Sequence, residues 1–187
     1  KKAELTSPCA AMAMVRFICA CALLLTLTPA HARPSEYDLK AAFIYQIAKF
    51  VEWPPSTPSN SPLRLCLLGG NPFGAALEPI RGKPVFERKM EVALLDMGAD
   101  VRECAMLFIA APAERHLERI AAISRGAGIL TIGDTEGFAK RGAMVNFFPE
   151  SGKIRFEINL DIARQGGLKI SSKLLALARI VDFGQDR

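Results

Sequence analysis

The chain has 187 residues, half of them hydrophobic and 23% charged, with 24 Lys and Arg against 19 Asp and Glu. This globular composition excludes collagen-like, coiled-coil and intrinsically disordered chains. The formal charge of +5 does not indicate nucleic acid as a partner. Beyond the first residues the cations are mixed with carboxylates, and no basic run is longer than Arg88-Lys89 or Lys140-Arg141, so no phosphate-tracking stripe exists.

Met12 to Ala32 reads MAMVRFICACALLLTLTPAHA, with a lone Arg16, an apolar run from Phe17 to Leu27, and Ala30-His31-Ala32. That is the three-part pattern of a secretory signal peptide, with cleavage expected after Ala32. The apolar run of 11 residues is about half the roughly 20 a spanning helix needs, which makes an uncleaved anchor the weaker alternative. Lys1 to Ala11 precede both candidate start methionines, Met12 and Met14, and carry no fold information. The chain therefore reads as a leader over 1–32 and one domain over 33–187, whose 155 residues suffice for a core. Without Lys1, Lys2, Arg16 and Glu4 the formal charge falls to +3.

Ser35 to Val51 opens with Ser-Glu-Tyr-Asp, a helix cap with acids in the first turn. It spaces Leu39, Phe43, Ile47 and Phe50 as a packing face, with Lys40 and Lys49 outward. Trp53-Pro54-Pro55 ends that helix, and Ser56 to Pro62 is a loop. Arg64 to Gly70 predicts a buried strand feeding a helix through Glu78, the start of an α/β unit. Val85 to Leu95 predicts a second strand, Cys104 to Ala110 a third, Pro112 to Ser124 a helix, and Gly128 to Ile132 a fourth strand. Strands alternating with helices imply a mostly parallel twisted sheet covered by helices on both faces, a Rossmann-like three-layer α/β fold.

The C-terminal part changes style. Ala143 to Phe148 and Lys153 to Asn159 flank Pro-Glu-Ser-Gly and predict an antiparallel hairpin with a four-residue loop. In that register Phe148 faces Lys153, Phe147 Ile154, Val145 Phe156, Asn146 Arg155 and Met144 Glu157, which separates an apolar from a polar face. Ser171-Ser172 then caps a helix carrying Leu174, Leu175, Ala178 and Val181.

Three of the five cysteines, Cys9, Cys19 and Cys21, lie in the leader, leaving Cys66 and Cys104 on predicted strands of one sheet. In an exported protein an even pair reads as a disulfide, while two buried reduced thiols filling core space account for the same residues. Two cysteines without partner histidines do not make a metal site. His116, the one histidine after the leader, sits among charges on a predicted helix and reads as a surface residue. Neither Gly-x-Ser-x-Gly nor His-Glu-x-x-His occurs. Gly69 to Gly74 follows a strand but lacks dinucleotide or P-loop spacing, so a plain tight turn is expected. Gly133 to Gly137 lies where open α/β sheets bind ligands, although a plain turn is the favoured reading. The candidate binding residues are Asn146, Arg155, Glu157 and Asn159 on the polar side of the hairpin, Lys173 at the start of the next helix, and the aromatics Trp53 and Phe73. A solvated outer face, an internal Arg–Glu pairing, or core packing of the aromatics is the bland reading of the same residues.

Several sequence blocks resemble the YfiR-like periplasmic proteins, whose founding members restrain membrane-bound diguanylate cyclases of the YfiN type. They are Tyr37-Asp-Leu-Lys-Ala-Ala-Phe-Ile-Tyr with Lys49-Phe-Val-Glu-Trp-Pro, Leu65-Cys-Leu-Leu-Gly with Asn71-Pro-Phe-Gly, and Gly137-Phe-Ala-Lys-Arg-Gly with Met144-Val-Asn-Phe. Arg155-Phe-Glu-Ile-Asn-Leu and Gly167-Leu-Lys-Ile-Ser-Ser-Lys-Leu-Leu complete the set. The resemblance implies an exported, homodimeric α/β domain that binds the periplasmic sensor region of an inner-membrane, YfiN-like diguanylate cyclase and lowers cyclic di-GMP. It also implies sequestration by an outer-membrane YfiB-like lipoprotein, and a structural bridge at Cys66 and Cys104. Val145 and Gly152 stand where some relatives carry a second cysteine pair, so a redox switch based on that pair is not carried over. The residues themselves point to no cofactor, metal or nucleic-acid partner, and an enzyme is disfavoured because a nucleophile–base pair or metal site is lacking. A periplasmic small-molecule-binding sensor or carrier, read by a membrane receptor, is the alternative.

Overall fold

A computed structural model of the protein describes residues 34–55 and 61–182. The expected leader, and most of the loop expected over Ser56 to Pro62, lie outside the described residues. Among those residues no helix is long and apolar enough to cross a membrane.

Among the described residues there are ten strands and four α-helices, and strands and helices alternate through much of the chain. Helix α1 (Glu36–Ala48) and the short β1 (Val51–Glu52) lead to β2 (Leu63–Leu68) and a 3₁₀ turn over Gly74–Ile80. The hairpin β3 (Pro84–Val85) and β4 (Arg88–Leu95) precedes β5 (Met106–Ile109). A 3₁₀ turn over Ala111–His116 then runs into α2 (Leu117–Ala127) and β6 (Leu130–Gly133). Strands β7 (Val145–Glu150) and β8 (Lys153–Asn159), helix α3 (Leu160–Gln165), β9 (Lys169–Ile170), helix α4 (Ser172–Leu175) and β10 (Arg179–Val181) complete the chain. Eight strands form one sheet in the order β10-β8-β7-β6-β5-β2-β4-β3. It is parallel except where β7 meets β8 and β3 meets β4. β1 pairs separately with β9.

Alternation along the parallel strands sends successive side chains to opposite faces and so builds two cores. Leu65, Leu67, Met106, Phe108, Leu130 and Ile132 pack beneath α1. Cys66, Leu68, Leu107 and Ile109 face the other way, against Leu117 and Ile120 of α2. This is the expected three-layer α/β arrangement. Cys66 and Cys104 form a disulfide within the second core, with Cα atoms 5.9 Å apart, joining β2 to the turn that feeds β5.

Four expectations need correction. The strand expected over Val85 to Leu95 is broken by a turn at Phe86-Glu87 into β3 and β4. The stretch through Glu78 is a 3₁₀ turn rather than an α-helix, with Pro79 inside it removing a donor. The helix expected to reach Val181 stops at Leu175, because Arg179–Val181 instead pairs parallel with the open edge of β8. The hairpin register is displaced by two residues: Asn146 pairs with Glu157 and Phe148 with Arg155. The physical reason is the turn, since Ser151 and Gly152 both have positive φ, 51° and 72°. Two such residues form the tight connection whose twist matches the flanking strands, so Pro149 and Glu150 join the ladder. A shift of two preserves the faces, as a shift of one would not.

Helix α1 is also rotated from its expected orientation. Ser35 caps it, accepting from the Asp38 amide at 3.2 Å while Asp38 accepts from the Ser35 amide at 2.8 Å. The buried positions are Lys40, Ala41, Ile44, Ile47 and Ala48, whereas Leu39 is 41% exposed. Lys40 is tolerated inside because its ammonium donates to Asp134 at 2.7 Å and pairs with Glu36 at 2.5 Å. The Tyr37 hydroxyl donates to the same Asp134 oxygen at 3.2 Å.

The disulfide and the Lys40–Asp134 tie can each be tested. Removing the disulfide by a Cys66→Ala, Cys104→Ala double substitution releases a loop with sequence separation 38. It is expected to cost about 4 kcal/mol, or roughly 10 °C of melting temperature, read by thermal unfolding with and without reductant. The second concerns pH. Burial alone pulls the Lys40 ammonium down, but its hydrogen bonds and charge pairing with Asp134 and Glu36 outweigh this and hold it above the usual lysine value. Burial, with the charge of Asp134 next, raises the Tyr37 phenol. A raised folded-state value means that the contribution is intact below the unfolded lysine and tyrosine values, about 10, and is lost as pH rises through the folded ones. Chemical denaturation across pH should therefore show the contributions of Lys40 and Tyr37 fading on the alkaline side, while Asp38 and Glu118, whose carboxyls are held below their usual values by hydrogen bonds, lose theirs on the acid side. Asp134→Ala should cost about 2 kcal/mol at neutral pH, because it leaves the buried ammonium with the half-exposed Glu36 as its one carboxylate partner.

Candidate functional site

The loop from Asp134 to Gly142, after β6, is fastened on three sides. Asp134 holds α1 through Lys40 and Tyr37. Arg141 reaches Glu114 at 2.7 Å and Glu118 at 3.1 Å beside α2. The Asn159 amide donates to the Ala139 carbonyl at 2.9 Å. Phe138, fully buried, lies so close to Gly133 that a Cβ there would stand 2.4 Å from its ring, so the absence of a side chain at Gly133 sets the path of the loop.

Between this loop and strands β7, β8 and β10 lies a groove of about 790 Å³, lined by Asp134, Lys140, Asn146, Phe148, Glu157 and Arg179 among others. Its floor is polar and buried. Asn146 is 1% exposed and Glu157 7%. The Asn146 amide donates to Glu157 Oε1 at 3.2 Å, while Asn146 Oδ1 has no hydrogen-bond partner among the described residues. A buried polar atom left unpaired is costly in a folded protein and marks a place where an incoming donor gains more than it would at the surface. At the rim the Arg179 guanidinium lies 4.2 Å over the Phe148 ring and also pairs with Glu150. The groove thus presents acceptors at its floor and a cation stacked on an aromatic face at its edge.

The structure gathers some of the sequence-derived candidates here and disperses the rest. Asn146 and Glu157 are paired on the groove floor, so the polar side of the hairpin is buried at this point rather than wet. Asn159, on the same side of β8, caps α3 by accepting from the Ile162 amide at 3.0 Å. Arg155 lies exposed at 3.5 Å from Glu150, and Lys173 is exposed in the first turn of α4. Trp53 is half-buried and donates to the Ala105 carbonyl at 2.9 Å. Phe73 is a core residue, edge-on to Phe108 at 4.7 Å and to Tyr37 at 5.1 Å between centroids. The glycine turn after β2 is closed, since a Cβ on Gly69 would meet Ala113 at 2.9 Å. Sequence reasoning missed Lys40, Phe148 and Arg179. The only signal for Arg179 was the β-branched pair Ile180-Val181 after it, which favours a strand over the expected helix.

No curated protein matches the chain. Among solved structures it is similar to the crystal structure of a conserved domain protein from Vibrio cholerae, with 14% identity and a TM-score of 0.53 over 78% of this chain and 60% of that one. This likeness concerns the fold, and the chain spans less than two thirds of the Vibrio protein's length. A family model described as YfiR/HmsC-like matches residues 37–179, from the first turn of α1 into β10, and the chain belongs to the YfiR/HmsC-like family.

Proposed function

We propose that this protein is an exported periplasmic regulator. It binds the periplasmic sensor region of an inner-membrane diguanylate cyclase and holds that receptor in its inactive arrangement, lowering cyclic di-GMP. A YfiB-like outer-membrane lipoprotein relieves the inhibition by sequestering the regulator, which acts as a homodimer. The observation that carries this reading is the family match over residues 37–179; the signal-peptide pattern before Arg33 and the disulfide agree with an oxidising compartment. The mechanism needs no bond-making. A ligand that binds one of two receptor states more tightly shifts the receptor toward it by that difference in affinity. The groove suits recognition of this kind. Its described lining supplies carboxylates, an amide, cations and an aromatic face, without a hydroxyl, thiol or imidazole.

A second reading, a small-molecule sensor, is favoured by the unpaired Asn146 Oδ1 beside the buried Glu157 carboxylate. Its ligand would carry a hydrogen-bond-donating or cationic group.

Deleting the gene is expected to raise cellular cyclic di-GMP, and the cyclase's periplasmic region is expected to co-purify with the protein. Unchanged cyclic di-GMP together with no captured cyclase would overturn the first reading. Phe148→Ala with Arg179→Ala, both at the groove rim, should weaken the association by about tenfold or more with little change in melting temperature. A thermal-shift screen against metabolites separates the sensor reading. Saturable stabilisation of about 2.7 kcal/mol at a hundredfold excess over Kd supports it, and loss of that shift in Glu157→Gln places the ligand in the groove.

A further inference from the structure

The turn between β3 and β4 puts Phe86 at the tip of a hairpin, 68% exposed, with φ at +52°. Both properties are unfavourable on local grounds. Positive φ at the first turn residue but not the second is the pattern glycine ordinarily fills, and a bulky side chain there is strained. Phe86 belongs to neither hydrophobic core, so packing within the chain does not explain an aromatic at this point.

Cations surround the tip on both sides. Pro84 pairs with Lys89 and Val85 with Arg88, so Lys89 and Arg88 leave opposite faces of the ribbon. Arg88 turns back to the Ser61 and Pro62 carbonyls at 2.8 and 2.9 Å, which leaves Lys89 as the outward charge. Lys83, just before β3, holds its ammonium 5.5 Å from the Tyr45 ring centroid, and Lys49 of the α1 terminus lies 5.3 Å from the same ring. The Tyr45 hydroxyl donates to the Pro84 carbonyl at 2.8 Å, fixing this end of α1 to the base of the hairpin. Three exposed lysines, Lys49, Lys83 and Lys89, therefore stand around one projecting aromatic, with Glu87 the single carboxylate of the turn.

We propose that this hairpin is a peripheral membrane contact. Phe86 enters the boundary between headgroups and acyl chains of an anionic bilayer, while Lys49, Lys83 and Lys89 meet lipid phosphates. A single apolar side chain on a convex tip, with positive charge on both faces, complements a broad plane of negative charge. A standard protein interface buries roughly 800 Å² on each partner, whereas the element that projects here is one aromatic side chain at a two-residue turn. The inference is independent of the groove and of the cyclase.

The test uses protein recovered from the periplasm and co-sedimentation with vesicles of phosphatidylcholine, alone or with about one third phosphatidylglycerol. Partitioning is expected to be about tenfold stronger to the anionic vesicles and to weaken as salt screens the lysines. Phe86→Gly should cut anionic binding by about tenfold while raising the melting temperature, because glycine relieves the positive φ. These opposite signs separate a membrane role from a folding role. The Lys83→Glu, Lys89→Glu variant should abolish the preference for anionic vesicles. Equal partitioning to both vesicles, no partitioning to either, or full binding by Phe86→Gly overturns the proposal, as does capture of the tip by a protein partner with no vesicle binding.

Discussion

The architecture turns on one buried ion pair, Lys40 with Asp134. A lysine inside a helix face is expensive unless a carboxylate meets it, and here the carboxylate comes from the loop after β6, 94 residues away in sequence. The pair fixes the rotation of α1 over the first core, which places Ile44 and Ile47 inward and leaves Leu39 exposed. It also anchors the start of the Asp134–Gly142 loop. Since that loop is one wall of the groove, the orientation of a helix on one face of the sheet is tied to the shape of the groove at the sheet's end. Arg141 and Asn159 fasten the remaining turns of the same wall.

Much of the fold was legible because its signals are local. Apolar runs such as Leu65 to Leu68 and Met106 to Ile109 are buried on both faces, the pattern expected of strands in a covered parallel sheet. Ser35 with Asp38 marks the start of α1 by chemistry confined to one turn. What the sequence concealed depends on distant partners or on backbone conformation. Lys40 reads as an outward residue until Asp134 is known to face it. The hairpin register depended on whether Pro149 and Glu150 join the ladder, and positive φ at Ser151, unlike that at Gly152, has no strong compositional sign. Arg179 was hidden because Leu174, Leu175 and Ala178 keep helical spacing past the point where the open edge of β8 captures the chain.

The same two-residue displacement changed the meaning of the candidate site. In the expected register Asn146 would face Arg155, and the polar side of the hairpin would be an exposed charged surface. In the observed one it faces Glu157 on the floor of a groove walled by Asp134, Glu136, Gly137 and Lys140, and both amide and carboxylate are withdrawn from solvent. Buried polar groups discriminate better than exposed ones, because a partner that fails to satisfy them leaves a costly unpaired atom. A floor of this kind, held by a loop tied at three points, is preorganised, so a partner bound there would lose little affinity to ordering.

Strand order then separates the two surfaces. The groove sits over β7, β8 and β10 at one edge of the sheet, and the β3–β4 hairpin closes the other. At about 4.8 Å between neighbouring strands, six steps from β8 to β3 put them roughly 30 Å apart. A lipid contact at the hairpin would leave the groove open to a membrane-anchored receptor. Confinement to the membrane raises the local concentration of each partner for the other, so a modest intrinsic affinity in the groove suffices for occupancy. A competitor drawing the protein to another surface would then have to overcome both contacts, or only the groove if the lipid contact is already broken. The lysines around Phe86 make the lipid contact sensitive to ionic strength, whereas the buried floor of the groove is screened far less. The two contacts would therefore respond differently to salt.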